Sequence, residues 1–165
     1  MPYFYDMLKL NAKGLLAPGD PIQCKLSDMK TYFVDAFLSE TRKANFDRYI
    51  KYSTDLKSLL GGVKIMQWIN GSFVTRKTNP KDIDIISFVS HVSVRALGSK
   101  LLPFRPPGSW DNYGVDAYIL EVHLSNSKHY SFTELDIKYW RNQFGHTRPN
   151  RKGVKPKIRG YPLTQ

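Results

Sequence analysis

The sequence predicts a mixed α/β (α+β) domain in which a small mixed β-sheet is flanked by helices. Three observations favour this class. Apolar residues recur at helical spacing in the first part of the chain, short β-branched apolar runs begin at residue 63, and helical spacing returns after residue 131. The length of 165 residues suits one domain with its own core. Helices followed by alternating strands and helices indicate layers packed on one sheet.

The main helices are predicted from apolar spacing together with end signals. Ser27 is a candidate N-cap for a first helix. A second helix is predicted from Glu40 to Leu60, because Gly61-Gly62 would end it there. A final helix is predicted from Ser131 to Phe144. The side of this last helix expected to face the core carries Phe132, Leu135, Tyr139 and Trp140.

Three short apolar runs predict strands that lie side by side in the sheet. They are Val63–Ile69, Ile83–Val89 and Val115–Val122. Asn70-Gly71-Ser72 breaks the first run. Between the second and third runs, residues 92–102 predict a short helix, and residues 103–108 predict a loop with two consecutive prolines.

Composition and charge divide the chain into three parts. Residues 1–26 contain several glycines and prolines and predict an extended N-terminal arm, residues 27–145 a single domain, and residues 146–165 a basic C-terminal tail. The net charge is +11, and no acidic residue follows Asp136. This asymmetry indicates an anionic partner such as a nucleotide or RNA, although a merely solvated tail would also explain it.

Composition also argues against several kinds of protein and site. Cys24 is the only cysteine, so neither an internal disulfide nor a multi-cysteine zinc site can form. The first ten residues lack the apolar core of a signal peptide, and no apolar run approaches the roughly 20 residues that cross a bilayer. The four histidines show no metal-ligand spacing. We therefore expect a cytoplasmic protein with no membrane partner.

The pattern most indicative of chemistry lies between the first two predicted strands. Asp82 and Asp84 stand two residues apart, so on a strand both point to one face with α-carbons roughly 6.6 Å apart. Such a pair suits a magnesium ion, which prefers hard oxygen ligands and substrate phosphates. Upstream, Gly71 allows close backbone approach to a phosphate, and Ser72 offers a hydroxyl and an amide. The pattern lacks the Gly-Lys-Ser/Thr of a Walker-type loop.

Asp116 is the candidate for a third carboxylate, because it begins an apolar strand where an unpaired charge is unfavourable. Glu121 falls on the opposite face and is a poorer candidate. Structural explanations stay open for each residue. Asp82 and Asp84 could cap a turn, the Gly-Ser pair could simply end a strand, and Asp116 could make a local hydrogen bond.

The order strand, Gly71-Ser72, nine-residue spacer, then Asp82-Ile83-Asp84 at the head of a strand resembles the signature of the nucleotidyltransferase superfamily that includes polymerase beta. The chain also looks like a bacterial family of minimal nucleotidyltransferase-like domains, through residues 14–19, 139–140 and 144–145 as well. The resemblance implies a nucleotidyltransferase fold. It also implies that Asp82, Asp84 and Asp116 bind Mg²⁺ or Mn²⁺.

The same resemblance implies that the Gly-Ser pair holds the triphosphate of a nucleoside triphosphate (NTP) substrate. Lys77 and Lys81 are candidates to neutralise that triphosphate, or else they are solvated loop charges. The expected activity is transfer of a nucleoside monophosphate to a protein or RNA acceptor, including tRNA. Related minimal enzymes belong to toxin–antitoxin pairs, which suggests a cognate partner protein.

Two alternatives to this enzyme remain. The first is a binding module that keeps the fold with weak or no catalysis and acts as an antitoxin-like regulator. The second is a basic nucleic-acid-binding protein with no nucleotide site, in which charge in the tail matters and the aspartates do not.

Overall fold

A five-stranded mixed sheet forms the centre of the protein, whereas the sequence predicts a small mixed sheet of three strands. The computed structural model describes residues 8, 10–12, 14–16, 21–145 and 163–164. The spatial order of the strands is β1-β5-β2-β3-β4. β2 pairs antiparallel with β3, whereas β3 and β4 pair in parallel. The strands are β1 (Ile22–Gln23), β2 (Gln67–Asn70), β3 (Asp84–Ser90), β4 (Asp116–Val122) and β5 (Leu163–Thr164).

Five α-helices are present in the described residues, and shorter helical turns join some of them. A π-helical turn, Thr31–Asp35, continues directly from the first helix, and 3₁₀ turns occupy Gly71–Val74 and Gly98–Phe104. The α-helices are α1 (Leu26–Lys30), α2 (Glu40–Leu59), α3 (His91–Leu97), α4 (Gly108–Tyr113) and α5 (Tyr130–Gly145). None of the helices in the described ranges is both long and apolar enough to span a bilayer.

Most predicted boundaries fall within two residues of the observed ones. The helix predicted over residues 92–102 is an exception, because α3 ends at Leu97 and a 3₁₀ turn follows it. Three further expectations were wrong. The first helix begins at Leu26 with Lys25 as its N-cap, so Ser27 lies inside it. β2 begins at Gln67, four positions after the predicted start at residue 63. α4 occupies part of a region for which no helix was predicted. Residues 146–162 and 165 of the predicted basic tail lie outside the described residues.

The sheet separates two apolar clusters. The larger one packs α2 against one face, with Tyr52 and Leu56 of the helix meeting Ile69 and Ile85 of the strands. Leu16 is also buried in it, so the predicted N-terminal arm contributes to the core. On the other face, α5 covers a smaller cluster composed of Trp68, Ile86, Phe88, Leu120 and Phe144.

The prediction for the apolar side of α5 was wrong in part. Phe132, Leu135 and Tyr139 are exposed. The helix instead packs on the sheet through Ile137, Trp140 and Phe144. Because α5 carries apolar residues around more than one face, the sequence alone could not tell which of them the sheet would cover.

Gln67 begins β2 with a fully buried amide, which hydroxyl groups satisfy. Its Oε1 accepts hydrogen bonds from Tyr49 Oη at 3.0 Å and from Ser53 Oγ at 2.8 Å. Its Nε2 donates to Ser87 Oγ on β3 at 3.0 Å. A buried polar network with all its partners fixes one packing of helix on sheet. This network therefore holds α2 in register with β2 and β3.

Candidate functional site

The amino-terminal ends of β3 and β4 bring two of the predicted carboxylates together. Asp84 is the register partner of Asp116 on the parallel neighbour and of Asn70 on the antiparallel neighbour. Register partners on adjacent strands lie about 4.8 Å apart and point to the same face of the sheet. The backbone N–H of Asp116 donates to Ile83 O at 3.1 Å, which fixes this end of the ladder. Asp84 and Asp116 therefore flank one position on the sheet.

Gly71 lies directly against the carboxylate of Asp84. Its φ of +79° belongs to the left-handed region, which disfavours residues with a side chain. A Cβ placed on Gly71 would lie 1.6 Å from Asp84 Oδ2 and 2.7 Å from its Cγ. No L-residue other than glycine fits here without moving the carboxylate. Two independent constraints therefore favour glycine at this position, namely its backbone conformation and the close approach of an acidic side chain.

Asn70 supplies an unpaired oxygen close to the same place. Its side chain is buried, and its Nδ2 donates to the backbone carbonyl of Phe144 at 2.7 Å. Its Oδ1 is buried, and it and Arg105 Nε are the two buried side-chain polar atoms with no hydrogen-bond partner among the described residues. Buried polar atoms in proteins are nearly always paired, and an exception indicates an unoccupied interaction with an ion, a water or a ligand. This oxygen of Asn70 therefore belongs to the residue that is the register partner of Asp84.

The other predicted site residues are not register partners of Asp84, and the structure gives their burial and local contacts only. Asp82 is half-buried and precedes β3 by two residues. Ser72 is half-buried in the 3₁₀ turn, and its carbonyl accepts a hydrogen bond from the Thr75 hydroxyl at 2.7 Å. Lys77 is exposed, and the exposed Lys81 holds its Nζ 5.7 Å from the centroid of the Trp110 ring.

The three aspartates are not gathered as tightly as another trio of side chains. The ligand atoms of His91, Glu121 and His123 all lie within 4.8 Å of one another, and no other group of three His, Cys, Asp or Glu residues in the described chain does so. The sequence showed no metal-ligand spacing among the histidines, and this cluster of His91 and His123 with Glu121 becomes visible only in the fold. Glu121 and His123 are close in sequence, but His91 lies far upstream, and the parallel pairing of β3 with β4 brings it to them.

Arg42 organises the loop between the Gly-Ser pair and the aspartates, and sequence analysis missed it. The residue is fully buried in α2. Its guanidinium donates to the carbonyls of Phe73 and Thr75 at 2.7 Å each, and it also bonds to Lys77 O and Thr78 O. A further bond of 2.7 Å reaches Phe33 O.

Burial lowers the pKa of Arg42 to about 10, so the guanidinium stays charged at neutral pH. Its bonds to five carbonyls replace the water that a charged group requires. A positive charge is thereby fixed behind the loop that follows Gly71.

Comparison with known proteins assigns the chain to one family. The profile of a family described as "Family of unknown function (DUF6932)" matches residues 8–157. The chain belongs to the DUF6932 family. Neither the search of curated proteins nor that of solved structures returned a match to this DUF6932 chain.

The DUF6932 chain offers hard oxygen donors, a left-handed glycine and a fixed cation within one small region. Asp84 and Asp116 provide carboxylates on neighbouring strands, and Asn70 Oδ1 adds a third oxygen that makes no hydrogen bond within the described part of the chain. Such a donor set suits Mg²⁺ or Mn²⁺ better than a softer metal. The Gly71 turn presents backbone N–H groups of the kind that hold phosphate oxygens.

Proposed function

We propose that this protein is a metal-dependent nucleotidyltransferase that moves a nucleoside monophosphate from an NTP to an acceptor hydroxyl. The observation that carries the proposal is the contact between Gly71 and the Asp84 carboxylate. Gly71 has a left-handed backbone and lies so close to the Asp84 carboxylate that a residue with a side chain would displace it, so this position is suited to close approach by a ligand. Asp116, the register partner of Asp84, supports the same interpretation.

The donor set fits a hard divalent cation. Asp84 and Asp116 would hold Mg²⁺ or Mn²⁺, with Asp82 as a further carboxylate two residues upstream. The buried Oδ1 of Asn70, which has no hydrogen-bond partner in the described ranges, supports a bound ion or water in this region. When bound, the cation supplies charge neutralisation for the triphosphate and lowers the pKa of the attacking hydroxyl.

The protein's own groups would bind and orient the nucleotide. Gly71 and Ser72 would take phosphate oxygens through backbone N–H groups and the serine hydroxyl. Lys77 and Lys81 are exposed nearby in sequence and would balance part of the triphosphate charge. Arg42 would keep the connecting loop in one conformation, because its buried guanidinium donates hydrogen bonds to backbone carbonyls of residues 73–78 in that loop.

RNA is the acceptor that the charge of the chain favours. The net charge of +11 and the basic residues after Asp136 suit a polyanion, because phosphate contacts dominate affinity for nucleic acids. A partner protein with an acidic surface is the other acceptor class. Pyrophosphate would leave in either case, and one phosphodiester bond would form at the acceptor hydroxyl.

The test is metal-dependent transfer by the full chain. Purified protein is incubated with each α-labelled NTP, Mg²⁺ or Mn²⁺, and a cell extract, and mass spectrometry then identifies any RNA or protein that has gained one nucleotide. Asp84→Asn and Asp116→Asn should abolish transfer. Asp47→Asn is the matched control, since this exposed aspartate of α2 only pairs with Lys43.

The outcomes distinguish the proposed enzyme from the two alternative functions. Nucleotide binding that requires metal and Asp84, but without transfer to any acceptor, would replace the enzyme with a nucleotide-binding regulator. RNA binding that both aspartate variants retain, with no nucleotide binding, would identify a plain nucleic-acid-binding protein. Transfer unaffected by Asp84→Asn would refute the site assignment altogether.

A further inference from the structure

A second constellation of metal-binding side chains lies at the opposite end of the same two strands. His91 follows the last residue of β3, Glu121 is the penultimate residue of β4, and His123 follows the end of β4. His91 Nδ1 is hydrogen-bonded to Glu121 Oε1, and His123 Nε2 lies 3.9 Å from the same oxygen. The two imidazole rings stack with centroids 4.3 Å apart. Three potential ligand atoms thus converge on one point.

The backbone behind this cluster is held in place by buried and capping hydroxyls. The buried Thr133 of α5 accepts a hydrogen bond from the backbone N–H of His123 at 2.9 Å and donates to the backbone carbonyl of Glu121 at 3.1 Å. Ser90, the N-cap of α3, accepts from the backbone N–H of Ser93 at 3.1 Å, which fixes the start of the helix that carries His91. The three side chains therefore extend from anchored backbone positions.

We propose that His91, Glu121 and His123 form a binding site for a divalent transition-metal ion, best matched by Zn²⁺. Two imidazole nitrogens and one carboxylate oxygen are the ligand set that zinc accepts, whereas Mg²⁺ and Ca²⁺ prefer oxygen alone. A tetrahedral zinc ion with bonds of about 2.0–2.2 Å needs ligand atoms roughly 3.4 Å apart. Small side-chain rotations bring atoms that already lie within 4.8 Å of one another to that spacing.

The fourth position of the proposed ion opens to solvent. The side chains of His91 and Glu121 are 34% and 35% exposed, while that of His123 is 11% exposed. Glu121 also lines a cavity of about 470 Å³ together with Arg105 and Asp136. Three protein ligands with one accessible position are typical of zinc sites that bind water or a substrate, whereas purely structural zinc sites have four protein ligands.

This site is separate from the aspartate centre. Asp116 and Glu121 are five residues apart on one strand, which places the two regions about 17 Å from each other. The donor chemistry also differs, with oxygens at the amino end and mainly nitrogens at the carboxyl end. A zinc-binding result can therefore be assigned to one end or the other by mutation.

The experiment measures Zn²⁺ binding to the full chain after removal of metals with a chelator. Competition with a chromophoric chelator gives stoichiometry and Kd, and substitution with Co²⁺ reports tetrahedral nitrogen–oxygen coordination through its visible absorption bands. Glu121→Gln and His123→Asn should each raise the Kd for Zn²⁺ by more than about 100-fold, because even outer-shell partners are worth roughly 10- to 100-fold.

Two controls distinguish this site from others. His129→Asn removes an exposed histidine whose ring stacks on Phe132 and lies 5.7 Å from the ring of His123, so it tests for nonspecific binding to histidine. Asp84→Asn removes the carboxylate at the other end of β3. Both variants should keep one equivalent of Zn²⁺. Asp84→Asn, about 17 Å from Glu121 along the strands, should also keep a Kd within about threefold of wild type. Circular dichroism and thermal unfolding without metal confirm that each variant is folded.

Either of two results would overturn the proposal. One is a wild-type chain that binds no stoichiometric Zn²⁺, or binds it equally well after Glu121→Gln and His123→Asn. The other is loss of Zn²⁺ binding in Asp84→Asn with retention in the Glu121 and His123 variants, which would place the ion at the aspartate centre.

Discussion

Replacing Gly71 with alanine tests the feature on which the proposed function depends. Two costs are expected. An alanine at φ +79° incurs strain of about 1–2 kcal/mol, and its methyl group would lie 1.6 Å from Asp84 Oδ2, an overlap that should cost about 1–3 kcal/mol more. Gly71→Ala should therefore lower the free energy of unfolding by about 2–5 kcal/mol.

Gly61 provides a matched control for the strain alone. Its φ is +75°, nearly the same as that of Gly71, but a Cβ there would meet no atom within 4 Å. Gly61→Ala should cost only about 1–2 kcal/mol. The difference between the two variants then measures the contact with Asp84.

A double-mutant cycle measures the free energy of the same contact between residue 71 and Asp84 independently. In the Asp84→Ala background the oxygens are gone, and only the Cβ of residue 84 remains, at an ordinary 3.4 Å from the position that the new methyl group would take. Adding Gly71→Ala there should cost about 1–3 kcal/mol less than it does in wild type.

Urea unfolding followed by tryptophan fluorescence measures wild type and the four variants, and unchanged m-values would show that their unfolding transitions are comparable. A Gly71→Ala variant no less stable than Gly61→Ala would refute the close contact. Additivity in the cycle would refute it as well.

Three further predictions follow from buried or charged groups. Arg42→Met should lower the free energy of unfolding by at least about 3 kcal/mol, since unsatisfied buried carbonyls cost roughly 1–3 kcal/mol each. A smaller loss, measured by urea unfolding, would contradict the role of Arg42 in fixing its loop. Burial raises the pKa of the Cys24 thiol from 9.0 to about 12, so this group favours the folded state below pH 9 and loses that contribution as pH rises toward 12. Iodoacetamide at pH 8 should label the unfolded chain roughly 1000-fold faster than the native one, as followed by intact mass; equal rates would show that the thiol is accessible. If RNA is the acceptor, alanine at four basic tail positions should flatten the log–log dependence of RNA affinity on salt by about 0.7 per lost contact, and an unchanged slope would exclude the tail from RNA binding. Those positions are Lys152, Lys155, Lys157 and Arg159.

The parts of the fold that the sequence could predict are those with local signals. α2 ends within one residue of its predicted end, because two glycines stop it. β3 and β4 begin within one residue of their predicted starts, because each is an apolar run that begins beside an aspartate. In these cases a residue type and its immediate neighbours were enough, whereas the parallel register that pairs Asp84 with Asp116 depends on the fold.

Features that depend on distant partners could not be predicted. Arg42 has the spacing of an ordinary charged residue on a helix, and only the folded loop shows that it is buried. Gln67 looks like a polar interruption of a strand until the hydroxyls of α2 surround it. His91 and His123 meet because two strand ends lie side by side, which no spacing along the chain encodes.

The two ends of the β3–β4 pair offer complementary donor chemistry on one rigid element. At the amino end, Asp84 and Asp116 present oxygens only, whereas at the carboxyl end Glu121 shares its position with His91 and His123. Available transition metals bind nitrogen-containing sites more tightly than oxygen-only sites, while Mg²⁺ does the reverse. When zinc is limiting, the proposed histidine site would bind it first and leave the aspartates to the weaker-binding Mg²⁺ of the proposed activity. The same strands would thus separate two metals by ligand type, which the paired Asp84 and Glu121 variants can measure directly.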